Sequence, residues 1–166
     1  MSFSAVSSSC FIRKRSCILT PEEMVRQRLL EILCLEKGFP RGLCSVEVAI
    51  QSLKNVMLNS CEQGRSKRRI DILFSRAQES ALFPFFLIEC KAFNSKRLGK
   101  NDFIDAAALR QVMGYRNRLG AIPYVAIASH DQIAIWSFLS GTKSSLNAPW
   151  YYGTVQNMPM WSELGS

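Results

Sequence analysis

The stretch Phe85-Phe86-Leu87-Ile88-Glu89-Cys90-Lys91 decides the fold. Its four leading apolar residues predict a buried strand, yet the run ends in an acid and an amine one position apart. Side chains at i and i+2 of a strand share a face, so Glu89 and Lys91 stand side by side while Ile88 and Cys90 enter the opposite layer. A second apolar run, Arg68-Arg69-Ile70-Asp71-Ile72-Leu73-Phe74, holds a single acid. Burying a carboxylate without a cation costs roughly several kcal/mol. Asp71, Glu89 and Lys91 are therefore the first candidates for chemistry.

The elements around these two strands follow from local signals. Upstream, Thr20-Pro21-Glu22-Glu23 predicts a helix start, with Thr20 as cap, Pro21 at the first helical position and Glu23 closing a capping box. The helix extends to about Lys37, where Gly38 and Pro40 end it. Met24, Val25, Leu29, Ile32, Leu33 and Leu35 form its apolar stripe, and Arg26, Gln27, Arg28 and Glu31 read as its solvated face. Leu43 to Gln51 alternates as a half-buried strand, with Val46, Val48 and Ile50 on one face and Glu47 on the other. Ser52 to Lys67 lacks periodicity and reads as a loop. The strand from Arg68 to Phe74 and the strand through Phe85 are joined through Gln78-Glu79-Ser80, which predicts an antiparallel hairpin.

Downstream, Lys96-Arg97-Leu98-Gly99-Lys100 is a basic loop. Asp102 to Leu119 reads as a helix whose Gln111 and Tyr115, four apart, lie a turn apart on one face. Two further strands, Ile122 to Ala128 and Gln132 to Phe138, flank Ser129-His130-Asp131, where His130 reads as a turn residue. The order helix, three strands, helix, two strands predicts an α/β fold with a mixed central sheet flanked by helices. On this reading residues 19–140 form one domain, 1–18 are an unstructured leader, and 141–166 are a tail packing loosely on the domain.

Composition narrows the class. The 166 residues are 48% hydrophobic, enough for one substantial core. A formal charge of +8 favours an anionic partner such as nucleic acid. The six cysteines include no C-x-x-C pair, so they read as reduced thiols in a cytoplasmic protein, and a structural zinc site is not expected. No apolar run reaches the roughly 18 residues of a membrane span, and no phosphate-binding loop of the ATPase type is present.

Three adjacent strands can pool their polar residues. Glu47, Asp71 and Glu89 would then converge beside Lys91, a set of oxygen donors suited to a hard cation such as Mg²⁺. At this point the sequence resembles the PD-(D/E)xK nuclease superfamily, and most closely the N-terminal nuclease domain of type I restriction enzyme R subunits. The resemblance is carried by Thr20-Pro21-Glu22-Glu23 with Val25-Arg26-Gln27, Val46-Glu47, Arg69-Ile70-Asp71-Ile72, Ile88-Glu89-Cys90-Lys91-Ala92 and Gln111-x-x-x-Tyr115. It covers roughly residues 20 to 139. Ile70 stands where the superfamily's proline would be, and Ser129-His130 where the family often has Asn-Gly.

The resemblance implies a restriction-endonuclease-like αβββαβ core and Mg²⁺-dependent (or Mn²⁺-dependent) hydrolysis of DNA. Asp71, Glu89 and the Cys90 carbonyl would hold the metal, with Glu47 as an extra ligand or water-holding group. Lys91 would orient the attacking water, while Gln111 and Tyr115 would position nucleic acid or support the site. Arg69, Lys67, Lys96, Arg97 and Lys100 flank the site and are candidates for phosphate contacts. Because the family's helicase-like motor is absent from these residues, the expected partners are DNA and a separate motor or restriction or repair subunit. The alternative is a nucleic-acid-binding module with this fold and no turnover.

Overall fold

The computed structural model describes residues 7–50, 52–53, 69–79, 81–92, 104, 106–120, 122–139 and 148–164. The expected loop over 52–67 lies outside them except for residues 52–53, which are helical, and so do the basic residues Lys67, Lys96, Arg97 and Lys100 and residues 102, 103 and 105 of the second predicted helix. At the centre is a six-stranded mixed sheet of order β3-β4-β5-β6-β7-β8. It is formed by β3 (Cys44–Ala49), β4 (Arg69–Gln78), β5 (Ala81–Cys90), β6 (Tyr124–Ser129), β7 (Gln132–Ser137) and β8 (Tyr151–Thr154). The β4–β5 pair is the expected antiparallel hairpin, with Gln78 opposite Ala81. The β5–β6 pair is parallel, Phe86 facing Tyr124, as a crossover through α2 (Ala106–Arg118) requires.

Alternation along the central strands sends side chains into two separate cores. Phe86, Ile88, Cys90, Ala126 and Ala128 join the cluster that includes Leu29 and Leu30 of α1 (Pro21–Glu31) and Leu33 just beyond it. Leu87, Val125 and Ile127 join the cluster under α2, with Ala108, Val112 and Tyr115. Glu89, lying between Ile88 and Cys90, is thereby aimed at the α2 side.

Helix α1 begins as its sequence predicts: the Thr20 hydroxyl accepts the Glu23 N–H at 3.1 Å, and Pro21 opens the first turn. Its last turn departs from expectation. Ile32–Glu36 winds as a π-turn, the Lys37 N–H reaching back to the Ile32 carbonyl. This wider winding shifts the phase of the apolar stripe, leaving Leu35 72% exposed. Met24 is also exposed, because it lies opposite the arc formed by Val25, Leu29 and Leu33.

Both chain ends are more structured than the sequence suggests. The expected unstructured leader contains a small hairpin, β1 (Ser7–Ser9) with β2 (Ser16–Ile18), which does not join the main sheet. Its turn inserts Cys10 into the core at 1% exposure. The Phe11 N–H is bonded to the Gln27 side-chain oxygen at 2.7 Å. The Arg41 guanidinium stacks 4.3 Å over the Phe11 ring and donates to the Phe11 carbonyl.

At the other end the expected loose tail supplies β8, which pairs antiparallel with β7. Val155, Met158 and Leu164 beyond it are buried. Trp161 packs on Phe39 and Phe85 at ring distances of 5.0 and 5.1 Å, its N–H bonded to the Lys37 carbonyl. Cys10, Cys17, Cys34, Cys44 and Cys90 are free thiols, and among the described residues no helix is long and apolar enough to cross a membrane.

Candidate functional site

The site forms where β4 and β5 part. Their ladder runs as far as Ile72 opposite Ile88. Beyond it, the Cys90 N–H is met by the Asp71 carboxylate, at 2.8 Å from Oδ2. The Lys91 N–H instead bonds the Ala128 carbonyl of β6, so the end of β5 is held between a side chain and a parallel neighbour. Ending the ladder with an acid brings Asp71 next to the Glu89-Cys90-Lys91 backbone.

Glu89 is 5% exposed. Its Oε1 accepts from Lys91 Nζ at 2.9 Å and from Gln111 Nε2 at 2.6 Å. The Gln111 amide also donates to the Tyr115 hydroxyl at 2.9 Å, which donates in turn to the Arg69 carbonyl at 3.0 Å. A chain of hydrogen bonds thus leads from the acid through α2 to the first residue of β4. Glu89 Oε2, by contrast, is buried with no partner among the described residues. Burial and the neighbouring Asp71 charge push the Glu89 carboxyl up to about 7, against the opposing pull of Lys91. Burial also raises Asp71, countered by the Cys90 N–H and the Arg26 guanidinium. Desolvation would lower Lys91, but its hydrogen bond to Glu89 and the surrounding carboxylates outweigh this and hold it above the usual lysine value.

On the α1 side the arrangement differs from the one expected. Arg26, read from sequence as part of a solvated face, is 6% exposed. It reaches Asp71 Oδ1 at 3.0 Å and Glu47 Oε1 at 3.1 Å, and it pairs with Glu23 one helical turn back. Glu47 lies across from Asp71 in the β3–β4 register and shares Arg26 with it, while its second oxygen pairs with Arg13 from the N-terminal hairpin. Glu47 also sits at a φ of +49°, unpaired between Val46 opposite Ile72 and Val48 opposite Ile70. Desolvation would raise its carboxyl, but the two arginines prevail and lower it. The missed signal was the spacing of Glu23, Arg26 and Gln27. Residues three and four apart share a helical face, and this one also carries Leu30 and Leu33.

Among the described residues there is no cluster of three or more His, Cys, Asp or Glu side chains able to hold a metal ion. Mg²⁺ does not require one, since it is commonly held by one or two carboxylates with water and substrate phosphate completing its shell. Two hard carboxylates with raised protonation, one bearing a buried oxygen without a partner, fit such an ion. Asp71, Glu89, Lys91 and Gln111 are brought together as the sequence predicts.

Tyr115 is 2% exposed, its ring packed in the core under α2. Arg69 is exposed at the start of β4. His130 occupies the β6–β7 turn with a φ of +53°.

A family model described as type I restriction enzyme R protein N terminus matches residues 21–146. No curated protein and no solved structure matches.

Proposed function

The chain belongs to the family of type I restriction enzyme R protein N termini, and from that premise we propose that it hydrolyses phosphodiester bonds of DNA as a Mg²⁺-dependent endonuclease, Mn²⁺ being able to serve in its place. The observation that carries this reading is the corner where Asp71, the unpartnered oxygen of Glu89 and the Lys91 ammonium meet at the end of β5. Asp71, Glu89 and the Cys90 carbonyl are the groups that would hold the ion. When bound, it would supply a more nucleophilic water and Lewis-acid stabilisation of phosphate oxygens.

The chain's own residues do the rest. Lys91, anchored on Glu89 Oε1, keeps a fixed positive charge where negative charge grows on the phosphate during attack, and it offers a donor to orient the water. Gln111 holds Glu89 in place, leaving Oε2 open, and Tyr115 fixes Gln111 by taking up its second amide hydrogen. Such preorganised groups need no rearrangement as the reaction proceeds. The excess of basic residues draws the polyanion in, and Arg69, Lys67, Lys96, Arg97 and Lys100 are the cations proposed to meet its phosphates. Other subunits of a restriction complex, including a motor, are the proposed protein partners.

The test is nicking of supercoiled plasmid by the purified chain with Mg²⁺ or Mn²⁺. Asp71→Asn and Lys91→Gln are each expected to lower the rate by about 100-fold or more, with folding checked by circular dichroism. Cutting undiminished in both variants would remove the assignment. Salt-sensitive DNA binding with no cutting under any divalent ion would favour the binding-module reading instead.

A further inference from the structure

The α1 side of the site holds more acids than two-carboxylate chemistry needs, and a buried guanidinium gathers them. Arg26 spans Glu23, Glu47 and Asp71, with its side chain 7% exposed. Glu47 is closed off on both oxygens, by Arg26 and by Arg13. Glu23 is fixed further by Gln27, whose amide donates to it at 2.5 Å. Both oxygens of Glu47 are thus taken by arginines, and the place a second cation would take between Asp71 and Glu47 is already filled by positive charge.

We propose that Arg26 is a positioning residue that stands in for a second metal ion, so that the centre takes a single divalent cation, between Asp71 and Glu89. This rests on the endonuclease reading above. Charge balance agrees with it. The described carboxylates at the centre are Glu23, Glu47, Asp71 and Glu89, with exposed Glu22 acting on the last two from the first turn of α1. The described cations paired with them are Arg13, Arg26 and Lys91. Five negative charges against three positive leave a deficit of two, which one divalent ion meets; a second would leave a surplus in a buried region. Arginine suits this task because its planar fork addresses several carboxylates at once and does not lose its proton.

The experiment is the stoichiometry of Mn²⁺ binding to the full chain without DNA, measured by titration calorimetry and by loss of the free-ion paramagnetic resonance signal. One ion per chain is expected for the wild type, weakened at least about tenfold in Asp71→Asn. Arg26→Gln, which frees Asp71 and Glu47, is expected to admit a second ion. Arg26→Lys keeps a charge there and is expected to remain at one. A merely structural role would lower the melting temperature of both variants and change the stoichiometry of neither. Two ions on the wild type overturn the proposal while leaving the endonuclease reading intact, and that measurement holds even where the Arg26 variants fail to fold. No ion at all overturns the endonuclease reading itself.

Discussion

Glu89→Gln should stabilise the metal-free protein, and the size of the effect follows from the site. The Glu89 carboxyl stands at about 7 against an ordinary 4.5, burial being the first cause and the Asp71 charge the second. Each unit is worth about 1.36 kcal/mol, so carrying the ionised form costs the folded state about 3 kcal/mol relative to the unfolded chain. The sign is set by a folded value above the unfolded one. Below the unfolded value both states are protonated and the cost is absent; as pH rises through the window the unfolded chain releases its proton first, and the full cost is reached above the folded value.

Glutamine mimics the protonated acid in shape and charge. The lost attraction to Lys91 is already contained in the net shift, since protonation forfeits it too. The variant and wild type should therefore be equally stable below about pH 4, and the variant more stable by about 3 kcal/mol at about pH 8. In a chain of this size that is roughly 10 °C in melting temperature. Urea unfolding across this pH range measures the difference directly. Saturating Mg²⁺ should close the gap at the upper end by stabilising the wild type alone. A variant less stable than wild type at about pH 8, or a difference that does not change with pH, would show that Glu89 is carried as an ordinary paired acid and that the site stores no such strain.

Two further outcomes follow from packing and hydrogen bonding. Trp161→Ala, which removes the ring seated on Phe39 and Phe85, should cost about 2 kcal/mol in denaturant unfolding because the site is only partly buried. Tyr115→Phe takes away the hydroxyl joining Gln111 to the Arg69 carbonyl; a loss of about 1 kcal/mol in stability is expected, with plasmid nicking slowed while DNA affinity is kept.

The strands and their order were legible because buried runs and turn residues are local signals. So was the Asp71, Glu89 and Lys91 set, whose charges stand within or at the end of apolar runs where charge is costly, whereas Gln111, in the middle of α2, was marked only by the family motif. Arg26 was not, because periodicity separates polar from apolar faces but cannot say which polar side chain finds a carboxylate 45 residues away. The N-terminal hairpin was hidden by its serines: its strands are three residues long, and what fixes them is the insertion of Cys10 and a bond to Gln27. The edge strand Tyr151–Thr154 is likewise too short to show a period, and its pairing depends on a β7 edge that only the folded sheet presents. Glu47 keeps its place across from Asp71, but its pairing with Arg13 and Arg26 joins a hairpin and a helix that no local pattern brings together.

The segment after β8 has a consequence for how the protein is made. Through Trp161 it is tied to the Lys37 carbonyl at the end of the first helical stretch, and the Leu164 carbonyl is held by Arg76 of β4. A chain emerging from the ribosome can pair β3, β4 and β5 early, but these ties form only once residue 164 has cleared the exit tunnel. Until then Phe39 and Phe74 lack the indole that covers them. The interval before that is the one in which these two rings lie without that cover on the nascent chain.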